Sequence, residues 1–393
     1  MTTKIENLEE LVKPHLKSGE VVQSYDVKRL TAPGENFGSL MLSVILKVFN
    51  EETKEERSVS TVAKLMPQDE YVQKMFNSRI SFRNEIRFYT TIAPLFDKYL
   101  KDKGVLEGLD FIPQDFGSRL SLDPELDETD DDVVLLLENI KVLGYQTENK
   151  LVGLDLTSAK IILDVLAKFH ATGLGLKIEK PKEFKENVLQ YVWDYEEDDE
   201  YLKVIKRELR TILRETKFSE EVINRAVSTI DRKANFKSRE PWSTLIHYDC
   251  WINNTMLKFK NGKADRAMLV DFQLISYKSP ARDVLFFIFT SLQNDVLEQN
   301  LDALLEFYYE QFSDRLKRLN IDTSRFSKES FYEELKIAAR ENEYYHIIFM
   351  LPPILEEEFK ELTDFEKEVN WTKNHRERIV FVTKEFVKRG WLL

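Results

Sequence analysis

Cysteine is nearly missing from this sequence: Cys250 is the only one in 393 residues. A lone thiol excludes an intrachain disulfide and any zinc site built on cysteine, and it fits a reducing compartment. Positive charge is also short, with 57 Lys and Arg against 69 Asp and Glu, a net charge of −12. A surface this acidic repels phosphate backbones and anionic lipid, so we expect no nucleic-acid partner and no membrane partner. Long apolar runs are absent: LVDFQL and VLFFIFTSL fall far short of a bilayer span. The opening MTTKIENLEELVKPHL has no apolar h-region of a secretory signal. Together these absences predict a soluble, cytoplasmic protein and leave its oligomeric state open.

What is present is material for a core, since 42% of residues are apolar and 12% aromatic. Residues 4–16 show helical spacing. From 20 to 66 the texture is β-branched and alternating, in VVQSYDVKRL, SLMLSVILKVF and RSVSTVAKLM, with turn-formers APGENFG and NEETKEE between. Three antiparallel strands are predicted there, a helical stretch over 68–100, and two more strands at FIPQDFGSRL and VVLLLENI. The acidic DPELDETDDD between those last two reads as a solvated loop. After residue 150 the pattern is helical, except that STLIHYDCWINNTMLKF and RAMLVDFQLI predict two short strands around the turn KNGKAD. The fold class is therefore α+β. A small antiparallel-sheet lobe over 1–139 precedes a larger, mainly helical lobe over 140–393.

The stretch LIHYDCWINNTML puts polar groups between apolar flanks. His247, Asp249 and Asn254 fit H-x-D-x-x-x-x-N, and Asp271 ends the following apolar strand in MLVDFQL. Phosphoryl transfer needs this set: a carboxylate (Asp249) to orient a hydroxyl and accept its proton, and an amide oxygen and a second carboxylate (Asn254, Asp271) for magnesium. The spacing taken alone equally describes a buried polar cluster tying two strands together.

Partners upstream favour the first reading. TVAKLMP sets Lys64 on an apolar strand, where a charge needs a counter-ion. FRNEIRFY supplies Glu85 on the next helix. The lysine would reach the α- and β-phosphates of a nucleotide, held by the glutamate. APGENFGSLML lies where a phosphate-covering turn belongs, but it has only Gly34 and Gly38 and does not match G-x-G-x-x-G. VVLLLENI falls where the chain passes between lobes, with Glu138 to Ile140 placed to meet an adenine ring. An ordinary buried strand ending in a turn explains that last segment as well.

With these residues in order, the chain resembles the protein-kinase-like small-molecule kinases, the group of aminoglycoside phosphotransferases and choline kinases. Within it the sequence is most similar to the ecdysteroid kinase-like family. PGENFGS, KLMP followed by EIRFY, LAKFHATG, and HYDCWINNTML with VDFQL carry the likeness, and SPARDVLFFIFTS extends it. The resemblance runs from about residue 20 to about residue 360. It implies a bilobal protein-kinase-like fold and an ATP- and magnesium-dependent transfer to a hydroxyl of a small, apolar alcohol, either ecdysteroid-like or xenobiotic. It makes Asp249 the base, Asn254 and Asp271 the metal ligands, Lys64 and Glu85 a pair, Ser39 a phosphate contact, and Asp283 an anchor of the catalytic loop. Two positions depart from the family pattern. Tyr248 stands where glycine is usual, which predicts a shifted loop path, because tyrosine takes up a positive φ only at a cost. Asn139 replaces an aspartate after Glu138.

Aromatic residues expected to line an acceptor pocket are Trp251, Trp193, Tyr345, Tyr344, Phe349 and Met350, all equally at home in a core. Two other functions stay open. One is a choline- or ethanolamine-type kinase with a cage built from WDYEEDDEY at 193–201. The other is a nucleotide-binding pseudokinase without turnover.

Overall fold

The computed structural model describes residues 4–30, 38–192, 199–230, 238–355 and 372–392. Gly34 and Trp193 lie outside the described residues, as does most of the acidic stretch that follows Trp193.

Five strands form one antiparallel sheet in the order β1 (Glu20–Arg29), β2 (Leu40–Asn50), β3 (Glu56–Leu65), β5 (Val134–Glu138), β4 (Asp115–Arg119). Alternation in β2 is strict: Leu42, Val44, Leu46 and Val48 are buried, whereas Ile45 and Lys47 are exposed. That apolar face, with Ala63, Val134 and Leu136, packs on Ile5, Leu8 and Val12 of the N-terminal segment and its helix α1 (Leu8–Val12). Because the side-chain period of a strand is two, Lys64 points to the opposite face from Ala63. It sits on a central strand, opposite Met41 of β2 and Leu135 of β5.

The helical stretch after β3 divides into α2 (Glu70–Met75), α3 (Ser78–Arg87) and α4 (Ala93–Asp102), with a π-helical turn over Phe88–Ile92. Asp69 caps α2 by accepting from the Tyr71 amide at 2.8 Å. Phe82, Ile86, Phe88, Ile92, Phe96 and Tyr99 face the main core, together with α5 (Leu156–Glu179) and later helices. The acidic loop before β5 is not merely solvated. Asp127 accepts hydrogen bonds from Arg83 (3.0 Å) and Arg87, and Arg79 donates to the Thr129 carbonyl at 2.7 Å. The loop is thereby docked along the arginine face of α3.

Helix α5 begins at the cap Asp155, whose carboxylate accepts from the Ser158 amide at 2.7 Å, and is buried almost throughout. Gly173 lets β7 (Thr244–Ile246) cross it closely; a Cβ there would lie 2.7 Å from Thr244 Oγ1. The predicted polar hairpin is real over β8 (Thr255–Lys260) and β9 (Lys263–Leu269), turned at Asn261 and Gly262 with φ of 53° and 75°. Residues 247–254, expected within a strand, are not one. β7 ends at Ile246 and pairs with β10 (Ser276–Lys278), and a 3₁₀ turn spans Ile252–Asn254. The reason is that the His247 and Tyr248 amides are taken by a side chain. The remaining helices are α6 (Pro181–Asn187), α7 (Asp199–Glu215), α8 (Glu220–Ser228), α9 (Ala281–Ser291), α10 (Asn294–Arg318), α11 (Lys328–Ala338), α12 (Tyr344–Leu355) and a C-terminal helix, Lys373–Lys388. Among the described residues no helix is long and apolar enough to cross a membrane.

Candidate active site

Lys64, Glu85 and Asp271 meet in one cluster. The Lys64 ammonium donates to Glu85 Oε2 at 2.6 Å and to Asp271 Oδ1 at 2.8 Å. Lys64 and Glu85 are buried, and the Asp271 side chain is 29% exposed, so it is the member open to solvent. Burial pulls the Lys64 ammonium toward neutrality, but Asp271 and Glu85 outweigh it and hold its pKa above the ordinary value. Glu85 is pushed up to about 7, chiefly by burial and further by Asp271, against the pull of Lys64. With two carboxylates to one ammonium, the cluster has a surplus of negative charge.

Asp271 itself adopts the left-handed conformation, φ 66° and ψ 65°, which aspartate tolerates. Phe272 behind it is anchored by stacking on Phe88, centroids 3.8 Å apart and planes within 10°, with Phe169 and His247 around it.

Asp249 and Asn254 face one another in the opposing loop. The Asn254 side-chain amide donates to Asp249 Oδ2 at 2.8 Å and to the Asp249 carbonyl at 2.9 Å, which leaves its amide oxygen for another partner. The Asp249 carboxyl is held well above the usual carboxylate range, first by burial and then by the charge of Asp271. Asn254 and Asp271 offer an amide oxygen and a carboxylate, hard oxygen donors of the kind a divalent cation such as magnesium takes alongside water and phosphate oxygens. Mutual repulsion of Asp249 and Asp271 is the unfavourable term such a cation relieves.

The loop is held from behind by a residue of α9. Asp283 accepts from the His247 amide at 2.7 Å, the Tyr248 amide at 2.8 Å and His170 Nε2 at 3.0 Å, and His170 Nδ1 meets the Tyr308 hydroxyl at 2.8 Å. Burial alone would raise the Asp283 carboxyl, yet His170 and the loop contacts bring it below the ordinary range. His247 is fully buried and its Nε2 lies 3.0 Å from the Val270 carbonyl, a bond that fixes the ring.

Several expectations need revision. Tyr248 takes up the positive φ, 67°, and keeps its amide on Asp283. Its Cβ strain is offset by packing, with the Lys278 ammonium 4.8 Å from the ring centroid and the His346 ring 5.0 Å away. Tyr345 is 2% exposed and packs on Phe349, so it is a core residue rather than a pocket wall. Trp251 is half-buried against the helical core beside Asp249. Glu138 and Asn139 have spent their amide N–H groups on the carbonyls of Gln114 (2.8 Å) and Ser60 (3.1 Å). Neither N–H is therefore left to donate to a bound ring. A Cβ at Gly38 would meet only the Phe76 ring at 3.6 Å, so packing does not demand glycine there; Ser39 beside it is half-buried. His170, Tyr308 and Gln273, whose Oε1 lies 3.5 Å from Lys64, escaped the sequence reading. The signal for His170 was present, a lone imidazole on the apolar stripe of LAKFHATG.

The profile of the Ecdysteroid kinase-like family matches residues 33–321. No curated protein sequence matches significantly. Among solved structures the chain is similar to a choline kinase from Cryptosporidium parvum Iowa II (12% identity, TM-score 0.46, covering 94% of this chain and 91% of that one). It is also similar to a Plasmodium vivax ethanolamine kinase (12%, 0.43, 94% and 83%) and to spectinomycin phosphotransferase APH(9)-Ia (13%, 0.41, 100% and 100%).

Proposed function

Because the chain belongs to the Ecdysteroid kinase-like family, we propose that it transfers the γ-phosphate of ATP, with magnesium, to a hydroxyl of a small neutral alcohol. The observation that carries this reading is the convergence of Lys64, Glu85 and Asp271 opposite the Asp249–Asn254 pair. In it, Asp249 orients the acceptor hydroxyl and takes its proton as the oxygen bonds to the γ-phosphorus and the bond to ADP breaks. Asn254 and Asp271 would hold the magnesium, which supplies neutralising charge on the phosphates. Lys64, kept in place by Glu85, would contact the α- and β-phosphates. The intact anchoring of the His247 and Tyr248 amides speaks against a pseudokinase, since the one unusual residue of the loop leaves the loop geometry standing.

The test is ADP release from ATP and magnesium across sterol, phenolic and amino alcohols. Asp249→Asn is expected to lose acceptor-dependent release by about 100-fold or more while still binding nucleotide. Equal turnover by wild type and variant, or no magnesium-dependent nucleotide binding, would overturn the reading.

A further inference from the structure

Glu85 meets Lys64 from a different element, and the chain between them does little to fix their distance. The two residues are 21 apart, and the connection runs through α2, none of whose residues is buried. Inward, α3 packs Phe82 and Ile86 into the main core. Outward it carries Arg79, Arg83 and Arg87, each one helical turn from the next and so aligned along one side. The loop between β4 and β5 binds every rung of that ladder. Arg79 Nη1 donates to the Thr129 carbonyl at 2.7 Å, Thr129 Oγ1 returns a bond to the Arg79 carbonyl at 2.6 Å, and Arg79 also reaches Asp131 at 3.1 Å. Asp127 accepts from Arg83 at 3.0 Å and from Arg87, and among the described residues it is the one carboxylate paired with either. The loop is shaped by its own bonds, Ser121 Oγ to Asp130 Oδ2 at 2.5 Å and the Asp132 amide to Asp130 Oδ1 at 2.9 Å. The Tyr191 ring, from the segment after α6, lies against both guanidinium groups, 5.9 Å from Arg83 and 5.7 Å from Arg87.

The strand that follows this loop, β5, lies beside β3 and sets Leu135 opposite Lys64. The loop therefore ties the helix of Glu85 to the sheet of Lys64 by a route independent of α2. We propose that the 120–133 loop is a clasp on α3, with Asp127 and Thr129 as positioning residues that hold Glu85 against Lys64 and so keep the nucleotide site formed. Thr129 is buried, whereas the Asp127 side chain is 62% exposed, so solvent and salt reach the clasp at Asp127. Removing that carboxylate leaves two guanidinium groups one turn apart without a counter-ion, and they repel. The consequence for nucleotide binding rests on the kinase reading; the hold on α3 does not.

Asp127→Glu, Asp127→Asn, Asp127→Lys and Thr129→Val are compared with wild type as full chains, with folding checked by thermal melts. Two quantities are read: amide hydrogen exchange across residues 79–87 by mass spectrometry, and affinity for ADP with magnesium. Exchange is expected to quicken by about threefold to tenfold in Asp127→Asn, from the loss of two partly exposed ion pairs, and further in Asp127→Lys. Thr129→Val is expected to quicken it as well, and Asp127→Glu to keep wild-type behaviour. ADP affinity is expected to fall in the same order. Added positive charge would by itself attract the nucleotide, so a fall reports the position of Glu85 rather than the field of the substitution. Unchanged exchange in the folded Asp127→Asn and Asp127→Lys variants overturns the clasp. Faster exchange with equal or tighter ADP binding overturns its link to Glu85. Absence of magnesium-dependent ADP binding in wild type overturns the kinase reading instead, and the exchange rates still decide whether the loop holds α3.

Discussion

Tyr248 holds a φ of 67° that favours glycine, and an L-residue there costs roughly 1–2 kcal/mol. Stripping the side chain to alanine keeps that cost and loses the ring packing. Tyr248→Gly is therefore expected to be about 1 kcal/mol more stable than Tyr248→Ala in urea unfolding. His247 makes a pH-dependent contribution. Burial depresses its imidazole below the ordinary 6.5, against opposing pulls from Asp283 and the Val270 carbonyl. Its Nδ1 has no partner among the described residues, so a second proton would be buried and unsolvated. The unfolded chain takes up that proton near pH 6.5 while the folded chain resists it. Stability from this group is complete above that pH and lost as pH falls below it. Between about pH 7.5 and about pH 5.5, His247→Gln should lose less stability than wild type does, read by urea unfolding at the two pH values. The Lys64 cluster sets the largest residue-scale effect. Lys64→Met leaves the buried Glu85 carboxylate without its ammonium and beside Asp271, a change expected to cost about 3–5 kcal/mol by thermal or urea unfolding.

At the scale of elements, the close crossing of α5 and β7 depends on Gly173. Gly173→Ala places a Cβ 2.7 Å from Thr244 Oγ1 and should cost about 1–3 kcal/mol, less in a Thr244→Ala background that removes the clashing hydroxyl. A double-mutant cycle measures the difference. This is also the scale at which the sequence was most legible. Strict alternation announced β2 and β3, and the Asn261–Gly262 turn announced the β8–β9 hairpin, because both patterns are local. The path of residues 247–254 was hidden because it is decided by Asp283, some 35 residues later in the chain. The docking of the acidic loop was hidden for the same reason: its partners Arg79, Arg83 and Arg87 line one side of a helix distant in sequence.

For the molecule as a whole, the two largest apolar clusters do not part where the chain changes texture near residue 140. One joins α1 to a single face of the sheet; the other unites α3 and α4 with α5, α9 and α10. The sequence conveyed the order of site residues, Lys64, Glu85, Asp249, Asn254, Asp271; the structure brings Lys64, Glu85 and Asp271 into contact and pairs Asp249 with Asn254. It gave no means of ranking the aromatics, since Tyr345 in the core and Trp251 beside the loop look alike as letters.

Asp283 grips the catalytic loop by its backbone amides, not by its side chains. The identity of residue 248 is thereby uncoupled from the position of Asp249. Such a position can change over evolutionary time without moving the carboxylate that follows it.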